Sequence, residues 1–373
     1  MAINERFTAL DVFRGMTVCF MIIVNTPGNG DTTFSPLLHA KWHGFTPTDL
    51  VFPSFLFAVG NALSFVMTRW RLQQRQDVIL KILRRTLLIF LLGFLMYWFP
   101  FFDHDASGQF ILRPFSGTRI LGVLQRIALA YFFAALLLYF FKPRITFIIT
   151  VCILLLYWPV MYFFGSQPDP FSLTGNAVLK LDLWLMGPAH LYHGEGMAFD
   201  PEGFLSTLPA IGNVVGGYLV GAFIQQKGKT FETLAKLLLA GAVLIAIAYF
   251  WHLLFPINKK LWTSSFVLYT VGLDLMILAA IVYVIDFCRI TKWTYFFEVF
   301  GRNPLFIYLL SEVIAILLWY FMIGDVPAYS WLYNTVFSFA GGYLGSLLFA
   351  LFIMFFCWLV GYWMDRRKIY IRV

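Results

Sequence analysis

Ten mostly apolar stretches divide this chain, near residues 8–26, 49–68, 79–100, 118–140, 145–164, 204–225, 233–255, 262–286, 303–323 and 340–363. About 20 such residues cross a hydrocarbon core of roughly 30 Å as a helix, and a helix satisfies its own backbone hydrogen bonds there. Only 12% of the residues are charged, against about 25% in a typical water-soluble domain. Little sequence remains between the stretches for a separate soluble fold. The chain therefore reads as all-α, a polytopic membrane helical bundle of about ten transmembrane helices, and as one domain over residues 1–373. Asp11 and Arg14 in the first stretch, with no small-residue cleavage site after it, argue that it is retained rather than removed as a signal peptide.

A net charge of +8 would suit nucleic acid, but its placement points to a bilayer instead. Eighteen of the 27 Lys and Arg residues fall in connections on one side: Arg6, Arg69 to Arg85, Lys142 and Arg144, Lys227 to Lys236, Arg289 and Lys292, and Arg366 to Arg372. Five, Lys41, Arg113, Lys180, Lys259 and Lys260, fall on the other side. That asymmetry is the positive-inside signature. Both termini are expected in the cytoplasm, and the loop carrying His39 is expected outside an inner (plasma) membrane. Cys19, Cys152, Cys288 and Cys357 show no metal-binding spacing and read as inert thiols. No asparagine lies in an Asn-x-Ser/Thr sequon, which favours a bacterial protein over a lumenal glycoprotein.

Ionisable groups inside spans are costly and point to function. At about 100° per residue, Asp11, Arg14 and Asn25 share one face of the first helix and extend over roughly 21 Å of it. Asp11 and Arg14 can neutralise each other as an i,i+3 pair, with Asn25 capping the helix end. The alternative is a polar track through the membrane. Arg126, two turns beyond Arg119, needs an acidic partner or an anion, and Glu312 in the ninth span is the natural candidate. A buried Arg126–Glu312 pair and a ligand role are both compatible with the spacing. Lys81, Arg84 and Arg85 open the third span, and Gly301, Arg302, Asn303 and Pro304 precede the ninth. They either anchor helices among headgroups or dock a polyphosphate.

The first long outer loop holds His39, Trp42, His43 and Asp49. Asp49 before an apolar run resembles a helix N-cap, with Thr46 and Thr48 competing for that place. A histidine here suits general-base work, and a partner carboxylate or amide can fix its tautomer. His39 and His43 are four apart, but Gly44 and Pro47 argue against the helix a metal pair would need, so no metal is expected. The later outer loops add His190, His193, Glu195, Asp200 and Glu202, then Asn258, Lys259, Lys260 and Trp262. Acids, amides and aromatic faces together suit a polar, cationic or sugar-like ligand.

At these residues the chain resembles the transmembrane N-acetyltransferases of the heparan-α-glucosaminide type and their bacterial homologues. The resemblance rests on Arg6-Phe-Thr-Ala-Leu-Asp11-Val-Phe-Arg14-Gly15, Val24-Asn25, His39-Ala-Lys-Trp42 and Thr48-Asp49-Leu-Val-Phe-Pro53. It continues through Gly122-Val-Leu-Gln125-Arg126, the run from Asp200 to Pro209, Lys260-Leu-Trp-Thr-Ser-Ser-Phe266 and Gly301-Arg-Asn-Pro304. These blocks span most of the chain in the expected order. The resemblance implies acetyl transfer from cytosolic acetyl-CoA to the amino group of a terminal glucosamine across the membrane. It puts the active histidine on His39 and the associated amide on Asn25, and relatives suggest a homodimer. The reading of the residues themselves adds His43, Asp49 and Glu312 as candidate support, Arg14, Arg84, Arg85, Arg126 and Arg302 as candidate CoA contacts, and Trp42, Glu195, Asp200, Glu202 and Lys260 as candidate acceptor contacts. Relatives often have Trp-Asn-Gly where this chain has Trp42-His43-Gly44, which leaves the role of His43 open. Without the extra N-terminal lumenal region of the animal enzymes, heparan itself is not the expected acceptor.

Two routes fit this reading: direct transfer with His39 as base, which gains from proximity, or passage through an acetyl-histidine. Direct transfer is the expected one. A membrane transporter or flippase also uses intramembrane charges, although no internal repeat is visible. An O-acetyltransferase of envelope polysaccharide is the nearest enzymatic alternative.

Overall fold

The computed structural model describes residues 7–104 and 109–371. Arg6 and Arg372, counted above among the inner charges, lie outside the described residues. The elements are α1 (Thr8–Asn25), α2 (Pro47–Trp70), α3 (Arg75–Trp98), α4 (Val123–Phe140), α5 (Pro143–Phe164), α6 (Ala177–Met186), α7 (Thr207–Lys227), α8 (Phe231–His252), α9 (Ser264–Val282), α10 (Thr294–Arg302), α11 (Pro304–Tyr320), α12 (Ala328–Leu332) and α13 (Gly342–Arg366). Two short hairpins, Phe102–His104 with Phe110–Leu112 and Met322–Ile323 with Val326–Pro327, are the sheet among the described residues.

Eight of these helices are long and apolar enough to cross a membrane, and α10 with α11, bent by 83° at their junction, is either a broken ninth span or a re-entrant loop. The remaining expected span is α3, a 24-residue helix whose first turns carry Arg75, Asp77, Lys81, Arg84 and Arg85. All ten expected stretches are therefore helical. The chain is a multi-pass membrane helical protein.

The described residues fall into two compact units, 7–40, 46–55 and 280–371 in the first, and 41–45 and 56–279 in the second. In the first unit, α1 lies directly on α10. A Cβ on Gly15 would collide with the Phe297 carbonyl, and one on Gly301 with the Asp11 carbonyl, so the two backbones touch. Small residues permit this approach in membranes, where no hydrophobic drive pulls helices together and close contact must do so. The Arg14 side chain bridges the seam, donating to the Asp11 carboxylate at 2.9 Å and to the Gly301 carbonyl.

The break between α10 and α11 follows from Gly301-Arg302-Asn303-Pro304. Proline disfavours helical backbone in the residue before it and starts a new helix readily. Asn303 accordingly leaves helical geometry (φ −131°, ψ 52°) and Pro304 opens α11. Arg302 pairs with Asp365 and with Glu298, while Asn303 donates to the Ile369 carbonyl and accepts from the Ile371 amide. The four-residue motif thus fastens the end of α13 and the tail that follows it to the bend.

In the second unit, a buried apolar cluster of Tyr157, Met161, Phe171, Val178, Phe199, Phe255 and Leu261 seats α6 against α5. Trp42 packs against it from the first long loop. Inside this wall stands Asp182, wholly buried on α6. Its Oδ1 accepts from the Phe204 amide at 2.9 Å, and its Oδ2 is buried with no hydrogen-bond partner among the described residues. Burial pushes the Asp182 carboxyl up to about 7, reinforced by Asp200 and opposed by the Phe204 amide and Arg126.

Two outcomes follow from this packing. Gly15→Ala must part α1 from α10 and will lower the melting temperature in detergent by several degrees, while Gly117→Ala, with open space around it, will not. Because Asp182 holds its proton to a higher pH when folded than when unfolded, its contribution is full below about pH 4 and is lost as pH rises through about 7. Asp182→Asn will therefore flatten the fall in melting temperature between pH 5 and 8, read by scanning fluorimetry alongside the unmodified protein.

Candidate functional site

The loop after α1 folds back so that its residues cap α2. Thr46 takes the N-cap place, and Asp49 is the third residue of the helix rather than the cap itself. The Asp49 amide donates to the Thr46 carbonyl at 2.9 Å, and the Thr46 amide donates to Asp49 Oδ2 at 3.0 Å. The second of these bonds is the half of a capping box in which the acid at the third helical position reaches back to the N-cap amide. The same Oδ2 accepts from Thr46 Oγ1 at 3.0 Å and from the Ala40 amide at 3.1 Å. Asp49 is 1% exposed, yet four donors and the positive end of α2 offset the cost of burying its charge.

The fourth donor is His39, whose Nδ1 lies 2.7 Å from Asp49 Oδ1. A carboxylate can only accept, so in the neutral ring the proton sits on Nδ1 and Nε2 is the basic nitrogen. The His39 side chain is 43% exposed. A buried acid orienting a half-exposed imidazole is the arrangement of a general base.

His43, in the second unit, has the opposite arrangement. Asn258 fixes its own amide by accepting from the Leu261 amide through Oδ1 at 2.8 Å, so Nδ2 faces His43 Nδ1 at 3.2 Å. His43 Nδ1 therefore accepts, and in the neutral ring Nε2 carries the hydrogen. Burial lowers the affinity of His43 for a second proton, with Asp169 opposing and His252 adding to the effect. This ring serves as a donor, not as a base.

Asn25, the last residue of α1, donates through Nδ2 to Glu312 Oε1 on α11 at 3.2 Å. Both belong to the first unit, and this pair is how the structure uses Glu312. Arg126 is in the second unit, wholly buried. It donates to Ser206 Oγ and to the Gly203 carbonyl at 3.2 Å, and its guanidinium sits 4.7 Å over the ring of Trp262. Trp262 is itself locked by Asn213 at 3.0 Å and holds a left-handed backbone (φ 50°) that bulky residues rarely adopt.

The acids and bases expected at an acceptor site are paired within the second unit. Arg119 bridges Asp200 and Glu202, at 2.7 Å to each. Burial raises the Asp200 carboxyl, and the Arg119 hydrogen bonds only partly reverse it. Burial pushes Glu202 the same way, but Arg119, Arg126 and Lys259 outweigh it and leave Glu202 below the usual range. Lys260 pairs with Glu195 and donates to the Lys41 carbonyl at 2.8 Å. Trp42 donates its indole hydrogen to the Phe171 carbonyl at 2.9 Å. At the start of α3, Arg84 is exposed, and the Arg85 guanidinium lies 4.8 Å over Tyr131 with its Nε hydrogen buried and unmatched among the described residues.

Two features escape sequence reasoning. Asp182 is a lone acid in an apolar decapeptide, the one hint it gives. The other is a cavity of about 440 Å³ beside Asn25, walled in part by Trp319, Tyr329 and Tyr333 from far along the chain. Aromatics in that position read as an interfacial belt. No group of three or more His, Cys, Asp or Glu residues suited to a metal occurs among the described residues.

The family model for the catalytic region of heparan-alpha-glucosaminide N-acetyltransferase matches residues 6–238. Heparan-alpha-glucosaminide N-acetyltransferase of Homo sapiens is 28% identical over 377 residues, covering 84% of this chain and 53% of the human protein. Its Mus musculus counterpart is 29% identical over 366 residues, covering 83% of this chain and 54% of the mouse protein. The chain spans about half the length of the curated relatives it matches. The matched region contains His39, Asn25, the Asp49 capping box and the Arg119 and Arg126 network. On that match, which takes in more than half of its residues, the chain belongs to the heparan-alpha-glucosaminide N-acetyltransferase catalytic family.

Proposed function

We propose that this protein is a membrane acetyltransferase that moves an acetyl group from acetyl-CoA to the amino group of a glucosamine-like acceptor. The observation that carries the reading is the 2.7 Å contact between His39 and the buried Asp49, in a chain of this family. Acetyl-CoA supplies a thioester, whose C–S bond is exchanged for the C–N bond of an amide; an acceptor entering as the ammonium gives up two protons, one ending on the CoA thiol and one released. His39 Nε2 takes a proton from the acceptor nitrogen, and Asp49 stabilises the imidazolium that results. Asn25 uses one Nδ2 hydrogen on Glu312 and offers the other to the oxygen that becomes negative during transfer. Donation to a carboxylate holds that amide in place, which is what an oxyanion donor requires.

Arg84 and Arg85 are suited to hold the CoA phosphates, since Arg84 is exposed and the Arg85 guanidinium lies over the Tyr131 ring rather than on a carboxylate among the described residues. Arg14 and Arg302 are neutralised by carboxylates, and Arg126 is enclosed, so their work is in the fold. The distribution of basic residues supports cytoplasmic termini, an inner-membrane location and a His39 loop on the extracytoplasmic side. Both units then act as one transferase domain.

Purified protein in detergent will release CoA from acetyl-CoA only when glucosamine is supplied. Solute uptake without CoA release would favour a transporter, and CoA release driven by a hydroxyl acceptor alone would favour O-acetylation. His39→Ala will lower kcat by about 10²-fold or more, the usual contribution of a general base. Asp49→Asn will cost a comparable factor, because an amide no longer dictates the Nδ1–H tautomer. His43→Asn will keep the rate within about threefold, since an amide can still meet Asn258. Ping-pong kinetics with a trapped acetyl-histidine would overturn direct transfer.

A further inference from the structure

The cavity at the Asn25 end of α1 has a composition that the loop residues lack. Its wall combines the amides of Asn25, Asn29 and Asn334 with the rings of Trp319, Tyr329 and Tyr333, and none of its lining residues is charged. At about 440 Å³ it falls in the range of small-molecule sites and is small for one.

The wall is built rather than incidental. Trp319 stacks on Tyr329 with ring centroids 4.8 Å apart and planes 16° from parallel. Tyr329 in turn donates its hydroxyl to the Pro27 carbonyl at 2.8 Å. The Gly28 and Asn29 amides are fixed to the Ser346 carbonyl and hydroxyl of α13 at 3.2 and 3.1 Å. Trp319, braced by this stack, lines the cavity and is 53% exposed.

An aromatic face beside amides matches a pyranose ring, which has an apolar C–H face and a rim of hydroxyls. Charge narrows the class. Glu312 lies directly behind Asn25 and is bonded to it, which places an acid at the edge of a neutral cavity. Such a site favours a ring bearing an ammonium group over its neutral or N-acetylated form. Glu195, Asp200, Glu202 and Lys260, by contrast, are tied to internal counter-charges.

We propose that this cavity is the acceptor subsite and binds a hexosamine, with the sugar ring on Trp319 and the amino group toward Asn25 and Glu312. The assignment deepens the transferase reading and rests on it for the word acceptor, not for the binding. It uses residues 319–334, beyond the segment that the family model matches.

The test is Trp319→Ala in the full chain, with Trp319→Phe as rescue and the exposed Trp184→Ala as control. Steady-state kinetics will show the KM for glucosamine rising at least about tenfold in Trp319→Ala and recovering substantially in Trp319→Phe. The KM for acetyl-CoA will stay within about twofold, and Trp184→Ala will match the parent protein. Tryptophan fluorescence will report binding of glucosamine more tightly than glucose or N-acetylglucosamine, lost in Trp319→Ala. An unchanged acceptor KM would reduce Trp319 to an interfacial aromatic, and a raised acetyl-CoA KM would give the cavity to the donor. Either result overturns the assignment while leaving the transferase intact. If the parent protein binds glucosamine at Trp319 but turns over no acetyl-CoA, the cavity stands and the transferase reading falls.

Discussion

Everything proposed for the reaction depends on one buried carboxylate. Asp49 could not stay ionised at 1% exposure without the donors it collects, and collecting them is what shapes the loop. Thr46 and Ala40 surrender backbone hydrogens to Oδ2, the first turn of α2 adds its dipole, and Oδ1 is left for His39. The acid in the first turn of the helix therefore also selects the tautomer of the imidazole. A change at Asp49 would disturb helix entry and chemistry together.

The other ionisable groups divide by what they already hold. Arg14 is bound to a carboxylate and to backbone and Arg302 to two carboxylates, at the seam and the bend where α1, α10 and α13 meet. Arg119 holds two acids, and Arg126 lies over Trp262 with hydrogen bonds to the turn before α7. A guanidinium paired to carboxylates, as Arg14, Arg119 and Arg302 are, gains little from an incoming phosphate, because the existing pair must first be broken and its charges left buried. Arg126 is set apart by its complete burial. Arg84 and Arg85 are therefore the proposed contacts of the donor, and the cavity beside Asn25 that of the acceptor.

Much of the fold was legible because membrane spans announce themselves by length and apolarity. All ten stretches are helical, and eight of the helices are long and apolar enough to cross a membrane, or nine with α10 and α11 taken as one span, while α3 has the length but carries charges in its first turns. The shared face of Asp11, Arg14 and Asn25 was also legible from helical phase, and α1 does turn Arg14 toward α10 and Asn25 toward α11. The partners were not. Glu312 looked like the counter-ion of Arg126 by depth alone, yet depth says nothing about rotation or neighbour, and its bond is to Asn25. Asp49 read as a cap, but a capping box moves the acid three residues inward, and only the folded loop distinguishes the two. Asp182 and the Trp319 cavity depend on contacts between segments far apart in sequence, for which periodicity carries no signal.

The central claim is that Asp49 holds His39 with its proton on Nδ1, which makes Nε2 the basic nitrogen. Nitrogen-15 NMR of histidine-labelled protein, with His39→Asn to assign the resonance, reads this directly at a pH where the ring is neutral. The account predicts a protonated Nδ1 and an unprotonated Nε2 for His39, reversed or averaged in Asp49→Asn. A His39 protonated on Nε2, or one unaffected by Asp49→Asn, would contradict it.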